Sequence, residues 1–204
     1  MHIRRTLTAL AAVLCAGALA SCSDSPSGPD ERPGNELVFI RAAGDAPPLE
    51  RDHVQFWARV NETRDVEIRY SNVSPEYGGD ECLEFKVPNN ALWKKPDGSL
   101  FQPGDSVLIS IRVTDLNHFI FEFQPAGLQF HPDHPAELRV SYKWADPDIN
   151  GDGVVDDRDR LRFGFWRQEA DGLPWKRVGS TRDSNLQELR ADIFGFTKYA
   201  LAAD

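Results

Sequence analysis

Apolar and polar residues alternate with a period of two through most of the chain. Val107, Ile109, Ile111 and Val113 alternate with Leu108, Ser110, Arg112 and Thr114. Phe119, Phe121 and Phe123 alternate with Ile120, Glu122 and Gln124, and Leu138, Val140, Tyr142 and Trp144 with Glu137, Arg139, Ser141 and Lys143. Val66, Ile68 and Tyr70 repeat the pattern earlier, and Leu161, Phe163 and Phe165 later. One apolar face at period two predicts half-buried antiparallel strands. Pro96-Asp97-Gly98, Pro103-Gly104-Asp105 and Asp171-Gly172 place turns between them. No long segment carries a helical stripe, and residues 185–193 come nearest to one. The pattern predicts an all-β fold, an antiparallel β-sandwich with Greek-key-like connections.

Composition narrows the class. The chain has 204 residues, 23 Lys and Arg against 32 Asp and Glu, and a net charge of −9. An acidic chain lacks the basic surface that nucleic acid requires, so no nucleic-acid partner is expected. Three cysteines in a chain of this length exclude a disulfide-stapled miniprotein. Residues 23–35, SDSPSGPDERPGN, have the composition of a flexible tether, which leaves 36–204 for the domain.

The N-terminus reads as an address. Arg4 and Arg5 precede an apolar run over residues 7–20, shorter than the roughly 20 residues that span a bilayer. Leu19-Ala20-Ser21-Cys22 then resembles the bacterial lipobox. The resemblance implies a signal peptide over residues 1–21, cleavage before Cys22 and lipid on Cys22, which would hold the protein on a membrane. Ser23 after the cysteine, with no aspartate there, resembles the sorting pattern of outer-membrane lipoproteins of the cell envelope. Cys15 would leave with the signal, so Cys82 would be the one remaining thiol and no internal disulfide could form.

Several fragments resemble the ZU-five module of ankyrins, netrin receptors and death-domain scaffolds. Phe123-Gln124-Pro125-Ala126-Gly127-Leu128-Gln129-Phe130 is similar to its hairpin, and residues 135–142 to its next strand. Residues 194–200 resemble its closing strand, so the likeness spans roughly 80–204. Some members cleave themselves between Phe and Ser, with a histidine activating the hydroxyl. Thr197 occupies the nucleophile position, but Gly195 stands where the histidine would be. Self-cleavage at Phe196-Thr197 is therefore not expected.

The most specific chemistry lies in DINGDGVVDDRD, residues 148–159. Read as a 12-residue calcium loop, it offers Asp148, Asn150 and Asp152, the carbonyl of Val154, then Asp156 and Asp159. Gly153 falls where such a loop must turn sharply. Calcium is a hard cation that takes six to eight oxygens, and this spacing supplies them. The loop also resembles that of a dockerin, which closes on Asp. A dockerin carries two such loops with exiting helices, whereas here one loop is followed by Leu161-Arg162-Phe163-Gly164-Phe165-Trp166, which alternates as a strand. The loop is expected to join two strands and to hold structural calcium.

Other constellations are thinner. His118, His131 and His134 lack a completing ligand for zinc. No serine-hydrolase elbow, zinc-protease helix or phosphate loop occurs, so no enzyme activity is expected. Trp144 shares the apolar parity of its strand and is expected in the core. Trp166 has the opposite parity and is the candidate surface aromatic, and Cys82 is placed on the outer face of its strand. The sequence thus predicts a non-enzymatic, lipid-anchored envelope protein presenting a calcium-stabilised sandwich for binding or scaffolding. The alternative is a carbohydrate-linked module, binding sugar or docking to a cohesin.

Overall fold

The computed structural model describes residues 31–71, 81–115, 117–149, 152–156 and 163–203. Cys22, Asn150 and Asp159 lie outside these residues. In chain order the strands are β1 (Glu31–Arg32), β2 (Val38–Phe39), β3 (His53–Arg59), β4 (Arg64–Arg69), β5 (Glu81–Val87), β6 (Leu92–Lys94), β7 (Ser106–Asp115), β8 (Ile120–Gln124), β9 (Gln129–Phe130), β10 (Ala136–Ser141), β11 (Phe163–Gln168), β12 (Trp175–Val178), β13 (Ser180–Asp183), β14 (Glu188–Ile193) and β15 (Lys198–Ala203). An eight-stranded sheet runs β1-β12-β11-β15-β8-β7-β3, with β2 also paired to β15. A five-stranded sheet runs β13-β14-β10-β5-β4, and β6 pairs β9 separately. All pairings in the two large sheets are antiparallel. The chain crosses between the sheets repeatedly, and β15 returns to lie between β11 and β8. This is the antiparallel sandwich that the alternation predicts.

The alternating residues meet in one core. Ile109, Ile111, Phe121, Phe123 and Phe165 of the larger sheet are fully buried, as are Ile68, Leu83, Phe85, Leu138 and Val140 of the smaller. Phe123 packs on Phe85, Phe196 and Tyr199, with ring centroids 5.4, 5.3 and 5.3 Å apart. Such aromatic pairs add about 0.5–1.5 kcal/mol each to the burial of their area.

Residues 185–193, which come nearest to a helical stripe in the sequence, form no helix. Leu186, Leu189 and Ile193 have helical spacing, but residues 184–187 form a turn and the rest is β14. Leu189, Ala191 and Ile193 enter the core, while Leu186 is 61% exposed at the turn. Period two wins because β14 completes a ladder with β10 on one side and β13 on the other.

The tether also ends earlier than composition suggests. Glu31 and Arg32 pair with Lys176 and Trp175, and a 3-10 turn over Gly34–Glu36 leads into β2. This N-terminal strap crosses the outer face of the eight-stranded sheet. It buries Leu37 against Trp166, Trp175, Ala200 and Ala202, with Phe39 edge-on to Trp175 at 5.3 Å. Trp166 is therefore no surface platform. It does point away from the main core, as its parity requires, but the strap covers it completely. Its indole N–H donates to the Ala202 carbonyl at 3.1 Å, and the Arg177 guanidinium lies 5.7 Å from its ring.

The outer face of the five-stranded sheet is charged instead. Arg139 bridges Glu84 at 3.0 Å and Glu137 at 2.7 Å, Arg190 reaches Glu137, and Arg69 reaches Glu81 at 3.4 Å. Burial beside other carboxylates pushes the Glu84 carboxyl above its usual range, against the pull of Arg139.

Candidate functional site

The segment 142–156 leaves β10 in the smaller sheet and leads towards β11 in the larger. Its start is pinned, because Asp146 donates its N–H to the Arg41 carbonyl at 2.8 Å and Ile149 is buried in the main core. Between these pins and the next strand the chain folds onto Asp148. Asp148 Oδ1 accepts the N–H of Asp152 at 3.1 Å, and Oδ2 accepts that of Gly153 at 2.9 Å. Asp152 Oδ1 accepts the N–H of Val154 at 2.9 Å. Gly153 makes the turn with φ +84°, a conformation that L side chains rarely adopt. The carboxylates of Asp148 and Asp152 are thus oriented by backbone donors, and the chain bends at Gly153.

The donor set fits a hard cation. Asp148, Asp152 and Asp156 offer carboxylates and Val154 a carbonyl, while Asn150 and Asp159 lie outside the described residues. All of these are oxygen ligands, which suits calcium and not zinc. Calcium bound there would offset the negative charge of these carboxylates.

The histidines do not converge in this way. His118 Nδ1 stands 2.8 Å from Asp115 Oδ2 at the β7–β8 turn, and that contact holds the Asp115 carboxyl below its ordinary range. His131 and His134 are bridged to each other, but Nδ1 of His131 accepts the N–H of Asp133 at 3.2 Å. Among the described residues no three of His, Cys, Asp and Glu gather as a metal cluster.

Cys82 is not on the outer face. The pairing of β4 with β5 slips between Ile68 and Arg69, so Ile68 faces Leu83 and Arg69 faces Glu81. Cys82 is the extra residue of that bulge, and it turns inward beside Leu83. Burial raises its thiol pKa to about 11, although a hydrogen bond with Tyr70 pulls the other way.

The motifs of the closing strand come together. Phe196 donates its N–H to Leu128 and Phe130 to Phe194, both at 2.9 Å, so the hairpin and the final strand pair directly. Thr197 is buried, and its hydroxyl donates to the Gln168 carbonyl. A Cβ at Gly195 would stand 3.3 Å from the Leu128 carbonyl oxygen, which makes that position tight for a larger residue.

Sequence reasoning missed Trp57. It is 54% exposed on β3, opposite Leu108 of β7, on the outer face of the larger sheet. Gln55 and Arg59 flank it on its own strand, and Ser110 and Gln124 continue the Gln55 row across β7 and β8. The signal was present: Trp57 shares parity with His53, Gln55 and Arg59, and opposes Val54, Phe56 and Ala58.

Comparison with family models, with curated proteins and with solved structures gives no match.

Proposed function

We propose that the protein is a non-enzymatic lipoprotein of the cell envelope, held on a membrane through Cys22, whose sandwich is stabilised by calcium and serves binding or scaffolding. The observation that carries the calcium reading is the seating of Asp148 under the N–H groups of Asp152 and Gly153. It bends the chain at Gly153, within the segment that passes between the sheets. Strand ends do not swing as paired helices do, so the role is structural. Outside the cytosol even weak calcium sites are filled.

The strap supports an anchored arrangement. Nine peptide steps separate Cys22 from Glu31, which pairs with Lys176. That length reaches at most about 30 Å, so the domain would stay close to the bilayer surface. Gly195 in place of a histidine and the engaged Thr197 hydroxyl argue against self-cleavage.

The test is calorimetric titration of calcium into the purified protein, with Asp152→Ala as control. One saturable site, lost in the variant, is expected. Absence of binding at millimolar calcium would reduce the loop to an acidic turn. In cells, Cys22→Ser should move the protein from the membrane to the soluble fraction, and membrane retention of that variant would sink the anchor.

Trp57 favours a second reading, a glycan platform. An exposed ring on a flat strand face, beside amide, hydroxyl and guanidinium groups, has the chemistry for stacking on a sugar. Retardation in polysaccharide-containing gels, abolished by Trp57→Ala, would support it. Equal mobility of both proteins in every polysaccharide would remove it.

A further inference from the structure

The chain between β2 and β3 forms no ladder of its own, yet it is tied to both sheets. Ala42 donates its N–H to the Asn117 carbonyl at 2.9 Å, beside β8, and Ala43 donates to Trp144 at 2.9 Å, just after β10. Further along, Glu50 donates to Arg69 of β4 at 2.9 Å, and Ser71 donates to Pro48 at 2.8 Å. Residues 42–49 therefore close one end of the sandwich. Many of their side chains are small, with Ala42, Ala43, Gly44 and, after Asp45, Ala46, and they leave the space beneath them open.

That space is a cavity of about 430 Å³. Cavities that take small organic ligands measure about 300–1,000 Å³. One side is apolar, formed by Val113 of β7, Phe121 of β8 and Phe119 of the turn between them, with Pro47 and Leu49 of the segment above. The other carries Asp52, Asn117, His118, Tyr70 and Cys82. This is the mixture of apolar wall and few polar groups that orients a ligand.

The polar side is equipped to bind, not to react. The Cys82 thiol is neutral at physiological pH and hydrogen-bonded with Tyr70. His118 is engaged with Asp115 through Nδ1. The one carboxylate among the lining residues is Asp52. Hydrogen bonds with His53 and His118 hold the Asp52 and Asp115 carboxyls, respectively, below the ordinary carboxylate range, and the Arg112 guanidinium also acts on Asp52. A carboxylate ligand would meet the Asp52 carboxylate, whereas an ammonium group would meet it as an acceptor.

We propose that the cavity beneath residues 42–49 binds a small organic cation, its apolar body against Val113, Phe119 and Leu49 and its single protonated amine at Asp52 and His118. The site is separate from the calcium loop and from Trp57.

The test uses the full chain and three probes of one ring system: naphthylmethylamine, naphthylmethanol and naphthoate. Calorimetry should show one site for the amine, about tenfold tighter than for the alcohol, as one charge-assisted contact implies. Naphthoate should not bind. Asp52→Asn should erase the preference for the amine, and Ala46→Phe should abolish binding of both by filling the space. A readout free of mutation is the rate at which methyl methanethiosulfonate modifies Cys82, followed on its peptide by mass spectrometry. Saturating amine should slow that rate several-fold, because Cys82 lines the cavity. If Ala46→Phe does not fold, this protection decides the location. Equal affinity for the three probes, preference for naphthoate, no binding at millimolar concentration, or binding that leaves the Cys82 rate unchanged would each overturn the proposal.

Discussion

At the scale of single residues, position relative to cover decides behaviour more than residue type. Trp57 and Trp166 both point outward from the larger sheet, but one is 54% exposed and the other fully buried. Trp166→Ala should cost about 3–5 kcal/mol, the usual range for deleting a buried tryptophan. Trp57→Ala should change stability by no more than about 0.5 kcal/mol. Urea unfolding of both variants checks this, and similar losses would mean that the strap does not cover Trp166 as described. Cys82 makes a pH prediction. Its folded pKa of about 11 lies above the ordinary value of 9.0. A raised pKa gives stability that is complete below the unfolded value and is lost as pH rises through the folded one. Stability should therefore fall between about pH 9 and pH 11, by an amount on the order of 2 kcal/mol. Cys82→Ala should flatten that part of the curve. At pH 8 the folded thiol should alkylate about a hundredfold more slowly than the unfolded one.

At the scale of elements, the strap is the piece that sequence composition concealed. Pro33, Gly34 and Asn35 have the look of a linker, but β1 caps the sheet edge at β12 and Leu37 closes a second small core. Leu37→Ala should cost about 2 kcal/mol and shift tryptophan emission to the red as water reaches Trp166 and Trp175. An unshifted spectrum would contradict the packing. The long strands were legible because alternation depends only on which face is buried, and β7, β8 and β10 follow it, whereas β11 is buried on both faces. What alternation could not show was anything acting from outside a strand. It gave the facing of Trp166 correctly but could not see the strap above it. It placed Cys82 outward because a bulge, which depends on the neighbouring strand, reverses parity. The helical spacing in 185–193 was a coincidence of a turn residue, Leu186, with two core residues of β14.

At the scale of the whole molecule, the sandwich depends on its crossovers. The pairing of β11 with β15 and of β10 with β5 fixes the sheets, while residues 142–156 must carry the chain from one to the other with acidic residues in close succession. The calcium reading of residues 148–159 rests on their spacing in the chain and on the bend at Gly153. The cavity under residues 42–49 was not legible in sequence, since it arises from small side chains in a segment tied to both sheets. The most direct measurement is the melting temperature of the protein in excess calcium and in excess chelator, with Asp152→Ala beside it. A site filled to a hundred times its Kd contributes about 2.7 kcal/mol. For a domain of this size that corresponds to a rise of about 5–10 °C in calcium, absent in the variant. Identical melting of the natural chain in both solutions would contradict a calcium-stabilised sandwich.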